Sequence, residues 1–312
     1  MPESPLDVVT GAFGYSGKYI TELLLARGRR VRTLTSRWRE PHSLGPGFTA
    51  APFNFDRPDA LCAELAGADT LYNTYWVRFP HGEHTHERAI ENTRTLIRAA
   101  REAGVRRLVH VSIANPTEDS PLPYYRGKAL LEREIAASGL SHAILRPTVI
   151  FGPEDILINN IAWFVRRFPV FGVPGSGRYG IQPIFVEDFA RLAVEAGERR
   201  GNEILDAAGP EQFSFEELVR LIAHTLGRRV KTLHVAPALA WLFTRLVGLS
   251  VGDVILTRDE IRGLMGDLLV SHQQPTGTTR LSDWLRENAQ TVGKTYASEL
   301  RRHFRPVDSS NR

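Results

Sequence analysis

Thr10-Gly-Ala-Phe-Gly-Tyr-Ser-Gly17 directly follows the apolar run Leu6-Asp7-Val8-Val9, so a short strand ends in a glycine-spaced turn. A helical pattern comes next from about Gly17, with Ile20, Leu23, Leu24 and Leu25 ahead of Gly28, a residue type that closes helices. Strand, glycine turn and helix in that order leave few architectures open. The glycines at 11, 14 and 17 let backbone N–H groups approach an anion, and the helix N-terminus adds partial positive charge. The first step is one residue wider than in G-x-G-x-x-G. A nucleotide pyrophosphate suits such a turn; the alternative is an ordinary βα connection.

Beyond this turn, apolar runs alternate with helical patterns. Strands are expected at Val31–Thr35, Phe53–Phe55, Ala68–Asn73, Arg107–Ser112 and His142–Leu145. A helix from about Thr85 to Ala103 sets Ala89, Ile90, Thr93, Leu96, Ile97 and Ala100 on one face, and another covers Lys128–Ala137. This alternation predicts an α/β fold, a Rossmann-type doubly wound parallel sheet. The second half is less regular, with capping-box spacing at Ser214-Phe-Glu-Glu217 and Thr257-Arg-Asp-Glu260. Residues 1–155 are expected to form the nucleotide-binding domain, with 183–208 returning to it. Segments 156–182 and 209–312 would build a smaller, mostly helical substrate domain. Asp188 reads as a helix N-cap rather than a catalytic acid, and the tail after Phe304 is expected to fray.

Charge and cysteine content narrow the partners. The formal charge of +4 is spread without long basic runs, and Arg29-Arg30, Arg106-Arg107 and Arg166-Arg167 are expected on solvated faces. No basic stripe with stacking aromatics points to nucleic acid. Cys62 is the single cysteine, which leaves no internal disulfide or cysteine-rich metal site. The N-terminus lacks a signal-peptide pattern, and no apolar stretch approaches the roughly 18–20 residues of a membrane span. A cytoplasmic location is expected. His81, His84 and His86, with Glu83 and Glu87, match no metal-ligand spacing, so no metal is expected there.

Tyr124 and Lys128 lie one helical turn apart, beyond the strand that ends at Ser112. An ammonium beside a phenol favours the phenolate and draws its pKa towards a working range. Such a pair supplies a proton donor or acceptor for interconverting a carbonyl and an alcohol. At the end of the second strand, Leu34-Thr-Ser-Arg37 carries no carboxylate before Glu40. A carboxylate there would bond a ribose 2′-hydroxyl, whereas Ser36 and Arg37 suit a 2′-phosphate. NADP is therefore preferred, with NAD the alternative.

Three strings in order along the chain resemble the extended or atypical short-chain dehydrogenase/reductase superfamily, which includes NAD-dependent epimerases and dehydratases. They are Thr10-Gly-x-x-Gly-x-x-Gly17, Tyr124-x-x-x-Lys128 and Leu145-Arg-Pro-Thr-Val-Ile-Phe-Gly-Pro153. Phe185-Val-Glu-Asp-Phe-Ala190 is similar to a helix start found farther along those proteins. Tyr72-Asn-Thr-Tyr-Trp and Tyr124-Tyr-Arg-Gly-Lys-Ala resemble the group containing the nucleotide-binding accessory subunit of respiratory complex I.

The resemblance implies a reductase, or an epimerase or dehydratase using bound cofactor, or else a nucleotide-binding accessory, assembly or redox-sensing protein with little turnover. It makes Tyr124 the general acid/base and gives Lys128 the ribose as well. Ser112 becomes the nearest catalytic serine, although Val-Ser-Ile-Ala-Asn-Pro departs from the usual Ser-Ser string, and Thr117 or Ser120 could substitute. It also places Gly11, Phe13, Gly14, Tyr15, Gly17, Asp56, Asn73, Thr74, Pro147 and Val149 along the cofactor, Asp56 at the adenine. The partner would be a small molecule, and the protein a monomer or homodimer. Trp163, Phe164, Phe168 and Phe171 are either core or the lining of a cleft for an apolar substrate. Ala238–Val251, apolar around Arg245, is either a packed helix or one touching a membrane surface or substrate.

Overall fold

The computed structural model describes residues 4–36 and 44–300. The chain divides into two compact units, Met1–Pro147 with Val186–Ala207, and Thr148–Phe185 with Ala208–Arg312. It begins with β1 (Leu6–Thr10), α1 (Tyr15–Ala26), β2 (Arg30–Thr35), β3 (Phe48–Pro52) and α2 (Pro58–Leu65). Then come β4 (Ala68–Asn73), α3 (His86–Glu102), β5 (Arg107–Val111), α4 (Pro123–Ala137) and β6 (Ser141–Pro147). β7 (Val149–Phe151), α5 (Leu157–Arg167), β8 (Val170–Pro174), β9 (Gly180–Ile181) and β10 (Pro183–Phe185) belong to the second unit. The chain returns to the first for α6 (Val186–Glu198) and β11 (Glu203–Ala207). It finishes with β12 (Phe213–Ser214), α7 (Phe215–Thr225), β13 (Lys231–Val235), α8 (Pro237–Val251), α9 (Arg258–Met265) and α10 (Leu281–Glu287).

In the first unit seven parallel strands run in the order β3-β2-β1-β4-β5-β6-β11. This is the doubly wound Rossmann-type sheet that the alternation predicts. Both faces of such a sheet are covered, so its strands bury apolar residues such as Val8, Val9, Leu34, Leu71, Leu108, Ile144 and Leu145 alongside polar ones that are hydrogen-bonded or ion-paired. α3 packs on α2 and α4, while α1 packs on α6. Leu61, Leu65, Leu96 and Ile135 meet Val8, Leu71, Leu108 and Ile144 in one core cluster. Each such fully buried side chain contributes about 1.5–3 kcal/mol of transfer free energy. The strand order reverses between β1 and β4, which opens a crevice at their carboxyl ends.

Several local expectations are corrected. The third strand is Phe48–Pro52, not Phe53–Phe55. Pro52 has no N–H for the ladder, Asn54 turns to φ 49°, and Phe53 stacks on Phe55 instead. α4 begins at Pro123, a residue pre-set for the first helical turn, so it takes in Tyr124. Asp188 is the third residue of α6 and pairs with Arg191, because the helix starts directly after β10. The arginine pairs are not simply solvated. Arg29 bridges Asp7 and Asp69, Arg106 also holds Asp69, and the fully buried Arg107 pairs with Glu203. Arg166 donates to the carbonyls of Ala289 and Val292.

The second unit packs α5, α7 and α10 around Phe151, Ile161, Phe215, Leu218 and Trp284. Three two-stranded ladders, β7–β10, β9–β12 and β8–β13, edge it. Both capping boxes form, at Ser214 with Glu217 and at Thr257 with Glu260. Ala240 and Gly248 are the buried residues of α8, whose other face is open. Among the described residues no helix is long and apolar enough to cross a membrane.

Candidate active site

The glycine turn is held by the sheet beneath it. Gly11 N–H donates to the Leu34 carbonyl and Ala12 N–H to Thr33 Oγ1, while Gly14 N–H closes on the Gly11 carbonyl at 2.7 Å. Gly11 has φ +72°, the left-handed region that glycine enters without a Cβ clash. A Cβ on Gly17 would stand 2.3 Å from the Gly11 carbonyl oxygen, so helix and turn can meet this closely only at a glycine. Gly14 caps α1 without a capping side chain, and no acid occupies the first turn. Bare helix N-terminal amides and a close backbone approach fit a dinucleotide pyrophosphate. Phe13 and Tyr15 flank the turn, half-buried, with the Phe13 ring edge-on to Phe48 at 5.9 Å.

The neighbouring strand ends are tied together by side chains. Thr10 Oγ1 donates to Asn73 Oδ1 and accepts from the N–H groups of Thr74 and Tyr75. Thr74 Oγ1 donates back to the Thr10 carbonyl at 2.5 Å. Asn73 Nδ2 lies 3.0 Å from His110 Nδ1 on β5, and burial holds the His110 imidazole well below its usual pKa. As the amide donates, Nδ1 accepts and the ring proton sits on Nε2. Asn73 is therefore spent on aligning β1, β4 and β5, while Thr74 and the Gly11 backbone stand at the crevice edge.

Tyr124 and Lys128 both project from the start of α4 and touch one indole, that of Trp76. The Tyr124 ring meets it edge-on at 5.6 Å between centroids, and the Lys128 ammonium lies 4.4 Å from its centroid. His86 stacks on the same Trp76 indole at 5.9 Å and meets Tyr124 edge-on. Lys128 donates to the Val111 carbonyl at 2.7 Å. Burial draws its pKa down to about 7, against an opposing pull from the Glu132 carboxylate. Ser112 points elsewhere than expected, donating its hydroxyl to Glu132, which also receives Arg146 at 2.5 Å.

Glu132 follows Lys128 by one helical turn, a spacing visible in the sequence, but its partners come from β6 and from the end of β5. Trp76 and His110 carry no such signal. Ser36 is exposed at the end of β2, and Asp56 is exposed in the turn after Phe55. Arg37, expected at a 2′-phosphate, lies outside the described residues, as does Glu40. Pro147 ends β6 and accepts from Ala114 N–H, whereas Val149 opens β7 in the second unit. The histidines separate, His86 entering α3 buried while His81 and His84 face each other across a short bridge. Among the described residues no group of three or more His, Cys, Asp or Glu side chains is placed to hold a metal ion.

Residues 11–155 match a family model described as NAD(P)H-binding. The chain is 25% identical to the mitochondrial NADH dehydrogenase [ubiquinone] 1 alpha subcomplex subunit 9 of Arabidopsis thaliana, over 84% of this chain and 70% of that one. It spans half the length of the Mus musculus subunit. It is 28% identical to the 4-hydroxy-2-methyl-3-oxo-4-farnesyl-3,4-dihydroquinoline-1-oxide ketoreductase of Stigmatella aurantiaca, over 70% of this chain and 72% of that one. In fold it is similar to the Citrobacter sp. triphenylmethane reductase complexed with NADP(H), with a TM-score of 0.76, 17% identity, and coverage of 91% and 99%.

Proposed function

We propose that this chain is a member of the extended short-chain dehydrogenase/reductase superfamily and an NADP(H)-dependent oxidoreductase acting at a carbon that bears oxygen. Within the superfamily it resembles the complex I accessory subunit. The observation that carries the reading is Tyr124 in the first turn of α4, with Lys128 one turn on and bonded to the end of β5, in the unit that holds a glycine turn shaped for a pyrophosphate. The ketoreductase relative supports the reaction class.

A bound nicotinamide would supply or take the hydride. Gly11, Gly14 and the N-terminus of α1 would hold the pyrophosphate, and Ser36 with Arg37 a 2′-phosphate. Tyr124 would hold the proton that joins or leaves the substrate oxygen. Lys128, near neutrality in pKa, would bond a ribose and bias that phenol. Ser112, engaged by Glu132, positions the end of β5 rather than the substrate. The substrate is a small molecule, and a reducing compartment such as the cytoplasm suits the lone thiol of Cys62.

A second reading, a dinucleotide-binding accessory protein with little turnover, is favoured by that engagement of Ser112 and by the relatives named as NADH dehydrogenase subunits. Turnover separates the two. NADPH oxidation is to be followed with panels of carbonyl compounds and quinones, for the native chain and for Tyr124→Phe. Turnover that Tyr124→Phe abolishes, with NADPH affinity kept within a few-fold, supports the oxidoreductase. NADPH binding without turnover supports the accessory reading, and turnover unchanged in Tyr124→Phe removes the proposed acid/base.

A further inference from the structure

α8 is largely apolar, interrupted by Thr244, Arg245 and Ser250, and one side of it is exposed. Leu239, Leu242, Phe243, Leu246 and Leu249 recur at helical spacing along that side, with Leu249 75% and Leu239 60% exposed. Ala240 and Gly248 face inward. The apolar surface continues past the helix, because Phe243 meets Phe164 at 6.4 Å and Phe164 meets Phe168, itself exposed. Exposed Val170 and Leu233 extend it over the ladder in which β13 pairs with β8. Scattered exposed leucines need no explanation, but a continuous stripe of this kind marks an interaction surface.

The two chain segments that form this surface carry charge of one sign. Residues 156–186, which contain α5 and β8, hold three arginines and no acid. Residues 218–252, which contain β13 and α8, hold four arginines, one lysine and no acid. These two segments, which pair with each other through β8 and β13, thus carry eight basic side chains. The rest of the chain has 31 basic residues against 35 acidic ones, so the formal +4 of the whole protein originates here. Glu216 reaches β13 from α7, but Thr232, His234 and Arg220 take up its carboxylate. Lys231 registers with exposed Val170, and Arg228 and Arg229 are exposed just before it. Arg167 lies over the Trp163 ring at 4.4 Å, and Arg245 and Arg258 flank Trp241 at 5.4 and 4.1 Å. Cationic heads carried on aromatic and aliphatic surface are the arrangement found where protein meets lipid headgroups.

We propose that α8 and the adjoining β8–β13 ladder dock this protein peripherally on an anionic lipid bilayer, the leucine stripe entering the headgroup boundary and the basic rim meeting lipid phosphates. The fifteen residues of α8 are too few to span a bilayer, which takes about 20, so the helix lies in the surface plane. An apolar stripe alone would suit a second protein copy equally. The net positive rim selects the lipid, because two copies of the same cationic face would repel each other.

The test is co-sedimentation of the full chain with phosphatidylcholine vesicles, with and without phosphatidylglycerol. Binding is expected to the phosphatidylglycerol vesicles, weakening several-fold as salt is raised. Leu242→Glu/Leu246→Glu should lose it by more than tenfold. Arg228→Gln/Arg229→Gln/Lys231→Gln should lose most of the phosphatidylglycerol preference. Circular dichroism and NADPH titration verify that each variant is folded. Equal or absent binding to the two vesicle types overturns the proposal, as does a Leu242→Glu/Leu246→Glu variant that binds like the native chain. Sedimentation velocity supplies the third arm, because a native dimer that this double variant dissociates would give the face to a second copy and overturn lipid docking.

Discussion

The Lys128 ammonium lies 4.4 Å from the centre of the Trp76 ring and is itself shut away from water. Burial lowers the lysine pKa from 10.5 to about 7. Between those values the unfolded chain binds more protons than the folded one, so stability should rise as pH climbs through that window. Below about pH 7 both states are protonated and the penalty of the buried charge is fully present. Lys128→Met should therefore stabilise the fold on the order of a few kcal/mol at pH 6, and hardly at all near pH 10.5. Urea unfolding at the two pH values checks this, and an equal effect at both would mean that Lys128 keeps its ordinary pKa.

Gly17→Ala should do more damage than Gly14→Ala. The added Cβ would stand 2.3 Å from the Gly11 carbonyl oxygen in the first case and 3.1 Å in the second. Both clashes are with backbone, which cannot swing aside. A loss of about 1–3 kcal/mol is expected for Gly17→Ala, together with at least an order of magnitude in NADPH affinity. Thermal unfolding and nicotinamide fluorescence titration give the two readings.

Glu132 joins α4 to β6 through Arg146 and to the end of β5 through Ser112. Glu132→Gln leaves the Arg146 guanidinium without its carboxylate and should cost about 2–4 kcal/mol, less than a fully buried pair because Arg146 is part-exposed. Ser112→Ala removes one hydrogen bond to a charged acceptor and should cost about 1–2 kcal/mol. With Ser112 in a positioning role, kcat in Ser112→Ala falls far less than in Tyr124→Phe. Chemical denaturation and steady-state rates on the same preparations decide it.

Arg37→Ala should weaken NADPH binding by about tenfold or more and leave NADH binding unchanged, since only the former carries a 2′-phosphate for a guanidinium to meet. Parallel fluorescence titrations with both dinucleotides measure the ratio. Equal losses for both would place Arg37 away from the adenosine ribose.

Much of the nucleotide half was legible because its signals are local. The strand–glycine–helix start and the helix opening near Thr85 depend on residues a few positions apart, as do the two capping boxes of the second unit. The third strand was misplaced because Phe53 and Phe55 carry strand propensity, whereas Phe48–Pro52 is selected by parallel pairing with β2. The ion pairs of the arginines are not legible locally for a related reason, as Asp7 and Asp69 stand far along the chain from Arg29 and Arg106.

Around the candidate site the division is the same. The four-residue step from Tyr124 to Lys128 is fixed by helical geometry, and the step onward to Glu132 is too. The partners of those side chains, Trp76, Val111, Ser112 and Arg146, come from other strands and loops, and the desolvation that moves Lys128 towards neutrality depends on all of them at once. Short-range sterics, capping and periodicity act between residues near in sequence, so turns, helices and their order follow from the chain directly. Burial, ion-pair partners and the bare leucine face of α8 depend on which distant segments come to lie against one another, and only the folded packing decides them.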